Sequence, residues 1–283
     1  MILNWKDVAN KMESWLKDKD FDWKYVAILL LSSDDASKVY VNLKKEFWER
    51  VWLEVKVFSD ENNNIISSDI QNILDTINKL NKDDSCAGIV VQLPLNSNIS
   101  DDTWRILGEI DPWKDIDWLW WVLFGLNLIS KIDFLPATPK AVFEILEYYG
   151  LQEITGKKIL IVWQSNLVWK PLALEFMKRQ WEVVCVNEFC RQQDLRKYCK
   201  ESDYIVSATW QSNLLTSDFF RSDFSQIVID VGFCRQNWKI YWDVDYNNVK
   251  QNVYAITPVP GWVGPVTVAS IFKNLYLLQN NFV

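Results

Sequence analysis

The chain has 283 residues, of which 49% are hydrophobic and 24% charged, a composition typical of a globular protein with room for two cores. Its net charge of −7 argues against nucleic acid or an anionic membrane as the main partner, and no apolar run reaches the roughly 18 residues of a membrane-spanning helix. The complete lack of histidine excludes Ser-His-Asp catalysis, Cys-His catalysis and histidine-ligated zinc.

Strand-like and helix-like segments alternate along the first 117 residues. Short apolar, β-branched runs predict buried strands at 25–31, 53–58 and 87–93. Apolar residues at helical spacing predict helices at 3–16, 36–51, 66–80 and 101–110. This alternation is typical of α/β units around a parallel sheet.

A second series of strands and helices follows, with strands predicted at 158–162, 182–187, 203–207, 227–231 and 253–256. Thr138 and Pro139 predict the start of a helix that runs to Tyr149, with threonine as N-cap and proline at the first helical position. A last helix is predicted from Pro265. The boundary between the two series is expected within 130–136.

The segment 157–177 has the order strand, tight turn, helix, which presents a helix N-terminus to a phosphate group. Ser165 is a good helix cap in that turn, and apolar residues recur at helical spacing from Val168. Trp163 and Trp169 occupy places in the turn where glycine is expected. The segment is therefore a candidate nucleotide-binding turn with an unusual composition.

Tryptophan is abnormally frequent and glycine abnormally rare, at 17 and 8 residues. Turns in a doubly wound protein need glycine, because glycine alone adopts positive φ at low cost. Several tryptophans occupy predicted turns, namely Trp163, Trp169, Trp238, Trp242 and Trp262. We hypothesise that many tryptophans are glycines in the living protein, encoded by UGA in a genome that reads this codon as glycine. The alternative is a truly tryptophan-rich protein.

The five cysteines are odd in number and form no Cys-x-x-Cys pair. They are Cys86, Cys185, Cys190, Cys199 and Cys234. We expect reduced thiols with structural roles in a cytoplasmic protein, and no metal site.

The first series contains several polar side chains that could take part in binding or catalysis. Tyr40 and Lys44 lie four residues apart and so project from one helix face. Gln92 ends a predicted parallel strand, where open α/β sheets bind ligands, and Asp115 and Asp117 follow in an irregular loop. Taken singly, each of these residues also fits a solvated lysine or a structural cap.

Several short motifs, the first three of which contain these residues, follow one another along the chain in the order ASKVYVNLKKE, VVQLPL, PWKDIDW, PATP, VWQSNLVWKP, VIDVGFCR and ITPVPGWVGPVTVA. Together they resemble the bifunctional methylenetetrahydrofolate dehydrogenase/cyclohydrolase family across essentially the whole chain. Tryptophans coincide with glycines of that family at Trp118, Trp163, Trp169, Trp181, Trp238, Trp242 and Trp262. The resemblance thus supports the glycine hypothesis independently of composition.

The resemblance implies two α/β domains with an active-site cleft between them. Residues 1–135 and 265–283 would form a folate-binding catalytic domain, and residues 136–264 an NAD(P)-binding Rossmann domain. It also implies a cytoplasmic homodimer, built through the Rossmann domains, that acts on tetrahydrofolate derivatives in one-carbon metabolism and purine biosynthesis. Neither nucleic acid, membrane nor metal is an expected partner.

The implied enzyme oxidises 5,10-methylenetetrahydrofolate with NAD(P)+ and hydrolyses the methenyl product to 10-formyltetrahydrofolate. By the same resemblance Lys44 is the cyclohydrolase residue, Gln92 orients it, Tyr40 contacts the aminobenzoyl ring and Asp117 hydrogen-bonds the pterin. Desolvation would lower the pKa of Lys44 toward a value suited to proton transfer. A loop that closes on folate and nicotinamide would contain Pro260, Gly261, Val263 and Gly264.

The positions implied to bind the cofactor are Trp163, Gln164, Ser165, Val168, Glu188 and Phe233. Family members often carry His-Ser or His-Arg at the end of the second Rossmann strand, where this chain has Asn187 and Glu188. A carboxylate there would repel a 2′-phosphate and accept a hydrogen bond from a free ribose hydroxyl. Gln164 also replaces an arginine common in the family. We therefore favour NAD over NADP, unless Glu188 points into solvent and decides nothing.

Other functions remain open at this point. A dehydrogenase-only member is one alternative, against which the presence of Lys44 argues. An inactive folate-binding or scaffold homologue is another, if the turn tryptophans are real and Trp169 and Trp262 fill the ligand space. A generic amino-acid or hydroxy-acid dehydrogenase would share the nucleotide-binding unit alone. UGA codons at these positions would favour the enzyme, and UGG codons the inactive homologue.

Overall fold

The computed structural model describes residues 1–21, 24–62, 64–119, 125, 134–152, 156–162, 168–209, 211–236, 239–259 and 264–281. For residues 36, 233–236, 239 and 240 it describes the backbone alone.

Helices and parallel strands alternate along the described chain. The strands are β1 (Tyr25–Leu30), β2 (Glu54–Phe58), β3 (Cys86–Gln92), β4 (Lys158–Val162), β5 (Glu182–Val186), β6 (Tyr204–Ser207), β7 (Ile227–Asp230), β8 (Phe233–Gln236), β9 (Lys239–Trp242) and β10 (Ala255–Ile256). The helices are α1 (Trp5–Lys17), α2 (Asp35–Arg50), α3 (Ile70–Lys82), α4 (Thr103–Gly108), α5 (Ala137–Tyr148), α6 (Trp169–Lys178), α7 (Gln192–Glu201), α8 (Tyr246–Val249) and α9 (Gly264–Asn281).

Contacts between Cα atoms divide the chain into two compact units. The first unit comprises Asn10–Ala137 and Thr267–Val283, and the second comprises Met1–Ala9 and Thr138–Val266. The first nine residues lie with the second unit because Leu3 N donates to Ile256 O at 2.9 Å, which extends the pairing at β10. The expected domain division had placed these nine residues in the other unit.

The first unit is built on a three-stranded parallel sheet in the order β2-β1-β3. The central strand β1 has the apolar sequence YVAILL, and all of its residues are buried, as in a parallel strand covered on both faces. β3 is buried along its whole length and ends at Gln92, which pairs with Leu30 at the end of β1. The sheet therefore places Gln92 at its carboxyl edge.

The second unit holds a five-stranded parallel sheet in the order β10-β7-β6-β4-β5. The chain first adds β5 on one side of β4 and then β6 on the other, which is the strand reversal that marks ligand sites in doubly wound folds. β8 and β9 form an antiparallel hairpin in which Phe233 pairs with Trp242. These strands confirm the predicted mixed helix and parallel-sheet architecture.

The ends of two predicted helices are corrected by the structure. The helix expected from residue 66 begins at Ile70, because Asp69 caps it by accepting hydrogen bonds from Gln71 N and Asn72 N. The prediction of Thr138 as an N-cap is wrong, since α5 already begins at Ala137. Pro139 still fits in that first turn, where backbone N–H groups have no partner within the helix.

Tryptophans occupy two of the described positions with positive φ, at Trp52 (66°) and Trp118 (60°). In this left-handed region a Cβ atom is strained, and glycine is the usual occupant. Among the described residues, four buried indole nitrogens also have no hydrogen-bond partner, those of Trp48, Trp118, Trp169 and Trp181. The ring of Trp181 nevertheless packs on Phe176, with ring centroids 4.7 Å apart.

Candidate active site

Lys44 is a buried lysine on the inner face of α2. Helix α2 begins after Asp34, whose carboxylate accepts a hydrogen bond from Ser37 N at 3.1 Å. The side chain of Lys44 lies against the core and only 7% of the residue is exposed, while the next residue, Lys45, is exposed. Burial lowers the pKa of Lys44, and the charge of Asp117 opposes that shift. The net direction favours a neutral amine at a lower pH than usual.

Gln92 is the hydrogen-bond partner of Lys44. The Lys44 Nζ atom donates to Gln92 Oε1 at 3.0 Å, and both side chains are buried. Gln92 Nε2 in turn donates to the carbonyl oxygen of Leu93 at 2.6 Å. Because the amide nitrogen is engaged on the main chain, the amide oxygen faces the amine. Gln92 thereby fixes the position of the Lys44 amino group.

Asp117 lies in the turn that follows the bridge between Asp115 and Ile89 of β3. Ile89 N donates to Lys114 O at 2.7 Å, which attaches this turn to the strand. The backbone N–H of Ala137 donates to the Asp117 carboxylate. Burial raises the pKa of Asp117, while the Lys44 charge and the Ala137 hydrogen bond act in the opposite direction.

Tyr40 lies one helical turn before Lys44 on α2 and is half-buried. Burial raises the pKa of its phenol, so the ring stays neutral. The first unit thus brings Lys44, Gln92 and Asp117 into one interacting group and puts Tyr40 on the same helix. The pKa of the amine is lowered and that of the carboxylate is raised, and both directions favour the neutral group. Such shifts are typical of sites that transfer protons.

The predicted cofactor positions are only partly described. Trp163, Gln164 and Ser165 lie outside the described residues. Val168 is half-buried and directly precedes α6, and its side chain makes no capping hydrogen bond to that helix. Glu188 is exposed in the turn after β5, and Phe233 begins β8, where the backbone alone is described.

The predicted closing loop is also outside the described residues at Pro260, Gly261 and Val263. Gly264, which followed them in that prediction, is the first residue of α9.

A buried carboxyl pair in the second unit was missed by the sequence analysis. Asp243 accepts hydrogen bonds from Ser207 Oγ at 2.8 Å and Gln211 N at 3.1 Å, while Asp230 Oδ2 accepts one from Val244 N at 2.9 Å. Burial raises the pKa of Asp230 well above its usual range, and the charge of Asp243 adds to the shift. The available signal was the paired DVG and DVD sequences at the end of β7 and after β9.

Gly232 completes this carboxyl cluster. A Cβ atom at Gly232 would clash with the carboxylate of Asp243, so this position requires glycine. The close approach explains why the chain keeps one of its few glycines at the end of β7.

In the described part of the chain, no group of three or more Cys, Asp or Glu side chains is arranged to hold a metal ion. No described helix has the length and apolar character needed to cross a membrane. Cys86, Cys185, Cys190 and Cys199 are free thiols.

Two family profiles together match nearly the whole chain. The catalytic-domain profile of tetrahydrofolate dehydrogenase/cyclohydrolase matches residues 3–117, and its NAD(P)-binding-domain profile matches residues 136–282. Among curated proteins, the bifunctional protein FolD of Acetivibrio thermocellus is 35% identical over 280 residues, which cover 96% of this chain and 94% of that protein. The bifunctional protein FolD of Staphylococcus aureus is 33% identical over 287 residues, with coverage of 98% and 96%.

Solved structures of the same kind of enzyme are also similar to this chain. The FolD methylenetetrahydrofolate dehydrogenase/cyclohydrolase of Campylobacter jejuni superposes with a TM-score of 0.90 at 31% identity, covering 100% of this chain and 99% of that one. The Trypanosoma brucei methylenetetrahydrofolate dehydrogenase-cyclohydrolase, complexed with NADP cofactor and inhibitor, gives a TM-score of 0.87 at 25% identity, with coverage of 99% and 98%.

Proposed function

Because the chain belongs to the tetrahydrofolate dehydrogenase/cyclohydrolase family, we propose that it oxidises 5,10-methylenetetrahydrofolate with a nicotinamide cofactor and hydrolyses the product to 10-formyltetrahydrofolate. The observation that carries the proposal is the buried Lys44 amine, held by Gln92 Oε1 at 3.0 Å. A dehydrogenase alone has no evident use for such a base, whereas a cyclohydrolase needs one.

In the proposed hydrolysis, water adds to the methenyl carbon and Lys44 takes a proton from that water. The bond from this carbon to N5 then breaks, and N5 receives the proton that Lys44 carries. Loss of the remaining hydroxyl proton to solvent leaves the formyl group on N10. A lowered pKa suits Lys44 to this sequence, because the amine must be neutral before it can accept a proton.

Asp117 and Tyr40 are proposed to bind the folate. A carboxylate can accept two hydrogen bonds from the amidine-like edge of a pterin, and the Ala137 N–H holds the Asp117 carboxylate in place. The half-buried ring of Tyr40 offers a flat apolar face for the aminobenzoyl group. Gln92 is proposed to contribute to substrate binding indirectly, because it holds the Lys44 amine in place.

A nicotinamide cofactor fits the second unit, because α6 starts directly after the predicted nucleotide turn and presents its N-terminus at the strand reversal beside β4. When bound, the nicotinamide ring accepts the hydride from the methylene bridge of the folate. We propose that Trp163, Gln164, Ser165, Val168 and Phe233 line its site, and that Pro260, Gly261 and Val263 cover the folate and the nicotinamide.

NAD is the proposed cofactor rather than NADP. Asn187 Oδ1 accepts a hydrogen bond from Phe189 N at 3.1 Å, which forms a turn directly after β5 with Glu188 at its exposed tip. The exposure of Glu188 leaves its carboxylate accessible to a cofactor that binds beside the end of β5, where it would accept a hydrogen bond from a ribose hydroxyl and repel a 2′-phosphate.

The proposed oligomer is a cytoplasmic homodimer that supplies one-carbon units to purine biosynthesis. β5 is an edge strand of the five-stranded sheet, with half-buried Val183, Val184 and Cys185 along it. The edge strand of a sheet has backbone groups that can pair with a second copy of the chain. Light scattering on the purified protein tests the dimer.

We also propose that many of the tryptophans are glycines in the living protein. The positive φ values of Trp52 and Trp118 and the unpaired buried indole nitrogens support this, because glycine would remove both penalties. The intact mass of the native protein tests the proposal, since each Trp-to-Gly difference lowers the mass. An unchanged mass, or UGG codons, would favour the inactive homologue instead.

The activity is tested by mixing the purified protein with 5,10-methylenetetrahydrofolate and either cofactor. Reduced nicotinamide and 10-formyltetrahydrofolate should both accumulate. Formation of reduced nicotinamide with methenyltetrahydrofolate as the end product would indicate a dehydrogenase alone, and no turnover would refute the proposed function.

A further inference from the structure

Asn274 lies at the middle of α9 and is completely buried. Its Nδ2 atom donates to two main-chain carbonyl oxygens, those of Ile116 at 3.1 Å and Leu135 at 2.9 Å. A buried amide that donates twice to separate stretches of main chain fixes the distance between them. Asn274 is therefore a bridge between the segments that contain Ile116 and Leu135.

These two segments are the ones that hold Asp117. Ile116 directly precedes Asp117 in the chain, and Leu135 lies two residues before Ala137, whose N–H donates to the Asp117 carboxylate. One side-chain amide thus controls both the backbone that carries the carboxylate and the backbone that hydrogen-bonds it. Asn274, Ile116, Asp117, Leu135 and Ala137 all belong to the first unit.

A second contact between the segments depends on Trp118. Its ring stacks on Phe134 with centroids 4.4 Å apart and an angle of 14° between the planes. If Trp118 is a glycine in the living protein, this stacking does not exist there. The Asn274 hydrogen bonds do not depend on Trp118, so they would still join the Ile116 and Leu135 segments in that protein.

We propose that Asn274 is a positioning residue for folate binding and that it acts through Asp117. This inference rests on the proposed function of Asp117 in binding the pterin. Without the Asn274 amide, two buried carbonyl oxygens lose their donor and the Asp117 turn is free to shift, so the carboxylate no longer meets the pterin at hydrogen-bond distance. The effect should fall on folate and spare the cofactor.

The test compares variants of the full-length protein in titrations with tetrahydrofolate and, separately, with NAD+. Asn274→Leu should raise the tetrahydrofolate Kd by roughly tenfold and leave the NAD+ Kd unchanged. Asn274→Asp, which is nearly the same size, serves if the leucine variant does not fold. Two variants on the same helix should match the parent: Ser270→Ala, which alters a buried hydroxyl without a partner, and Asn280→Asp, which alters an exposed amide.

A double-mutant cycle separates positioning from general damage. If Asn274 acts through Asp117, adding Asn274→Leu to Asp117→Asn causes no further loss of tetrahydrofolate affinity. Additive losses, equal losses for NAD+ and folate, or an unchanged folate Kd in a folded Asn274 variant would each overturn the inference. A parent protein that does not bind tetrahydrofolate would instead overturn the proposed function itself.

Discussion

Replacing Trp52 by glycine should stabilise the chain that carries tryptophan at this position. Trp52 follows the end of α2 with φ 66°, and its N–H donates to Glu49 O at 3.3 Å while the N–H of Leu53 donates to Trp48 O at 3.1 Å. This is the Schellman arrangement that ends many helices, in which the left-handed residue is usually glycine. Because Trp52 is 83% exposed, little buried apolar surface is lost on its removal.

The expected gain is about 1 kcal/mol. A left-handed conformation costs a residue with a Cβ atom roughly 1–2 kcal/mol. Against this, the greater freedom of glycine in the unfolded chain costs about 0.4–1 kcal/mol. The difference should appear as a higher midpoint of urea unfolding with an unchanged m-value.

Trp104 provides the matched control for this substitution. It is also exposed, at 48%, but it lies within helix α4 rather than after a helix. Trp104→Gly should therefore destabilise the protein, by roughly 0.5 kcal/mol, because glycine has a lower helix propensity than tryptophan. A Trp52→Gly protein that is less stable than its parent would refute the backbone argument, and with it the structural support for glycine at this position.

Two further predictions concern the second unit. Glu188→Ser should raise the catalytic efficiency with NADP relative to NAD by roughly tenfold, about 1.4 kcal/mol. The reason is that the substitution removes the group expected to repel the 2′-phosphate. An unchanged ratio of catalytic efficiencies would show that Glu188 does not discriminate between the two cofactors. Asp230→Asn should gain stability relative to the parent as pH rises from about 4 toward 7, because the raised pKa of Asp230 makes the folded parent retain a proton that the unfolded chain releases. Urea unfolding across this range measures the difference. Asp223→Asn should show no such gain, because hydrogen bonding from Ser225 lowers the pKa of Asp223 and the carboxyl is ionised in both the folded and the unfolded chain above about pH 5. A pH-independent difference for Asp230→Asn would contradict the raised pKa of Asp230.

Local sequence patterns were sufficient to predict the parallel strands. The strand at 158–162 was predicted with its observed bounds, because an apolar β-branched run between polar residues has one natural place in a parallel sheet. A helix face and a strand end marked Lys44 and Gln92 as weak candidates, and the family resemblance singled them out. The structure brings the two side chains within 3.0 Å of each other.

Features that depend on contacts distant in sequence were missed. Asn274 bonds to residues more than 130 positions away, and nothing in the pattern of α9 marks it as different from a solvent-facing asparagine. Asp243 and Asp230 are likewise joined only by the fold. The β8–β9 hairpin was missed because the sequence between these strands contains no Asn-Gly pair, which would have been a strong hairpin signal.

We propose that Lys44 is the base of the cyclohydrolase step and has no chemical role in hydride transfer. Lys44→Met keeps an unbranched side chain of similar length while it removes the amine. We predict that hydrolysis of methenyltetrahydrofolate falls by roughly 10²–10⁴-fold, whereas dehydrogenase activity persists. Lys45→Met, on the exposed side of the same helix, should retain both activities. Full cyclohydrolase activity in the Lys44→Met protein would show that Lys44 is not that base.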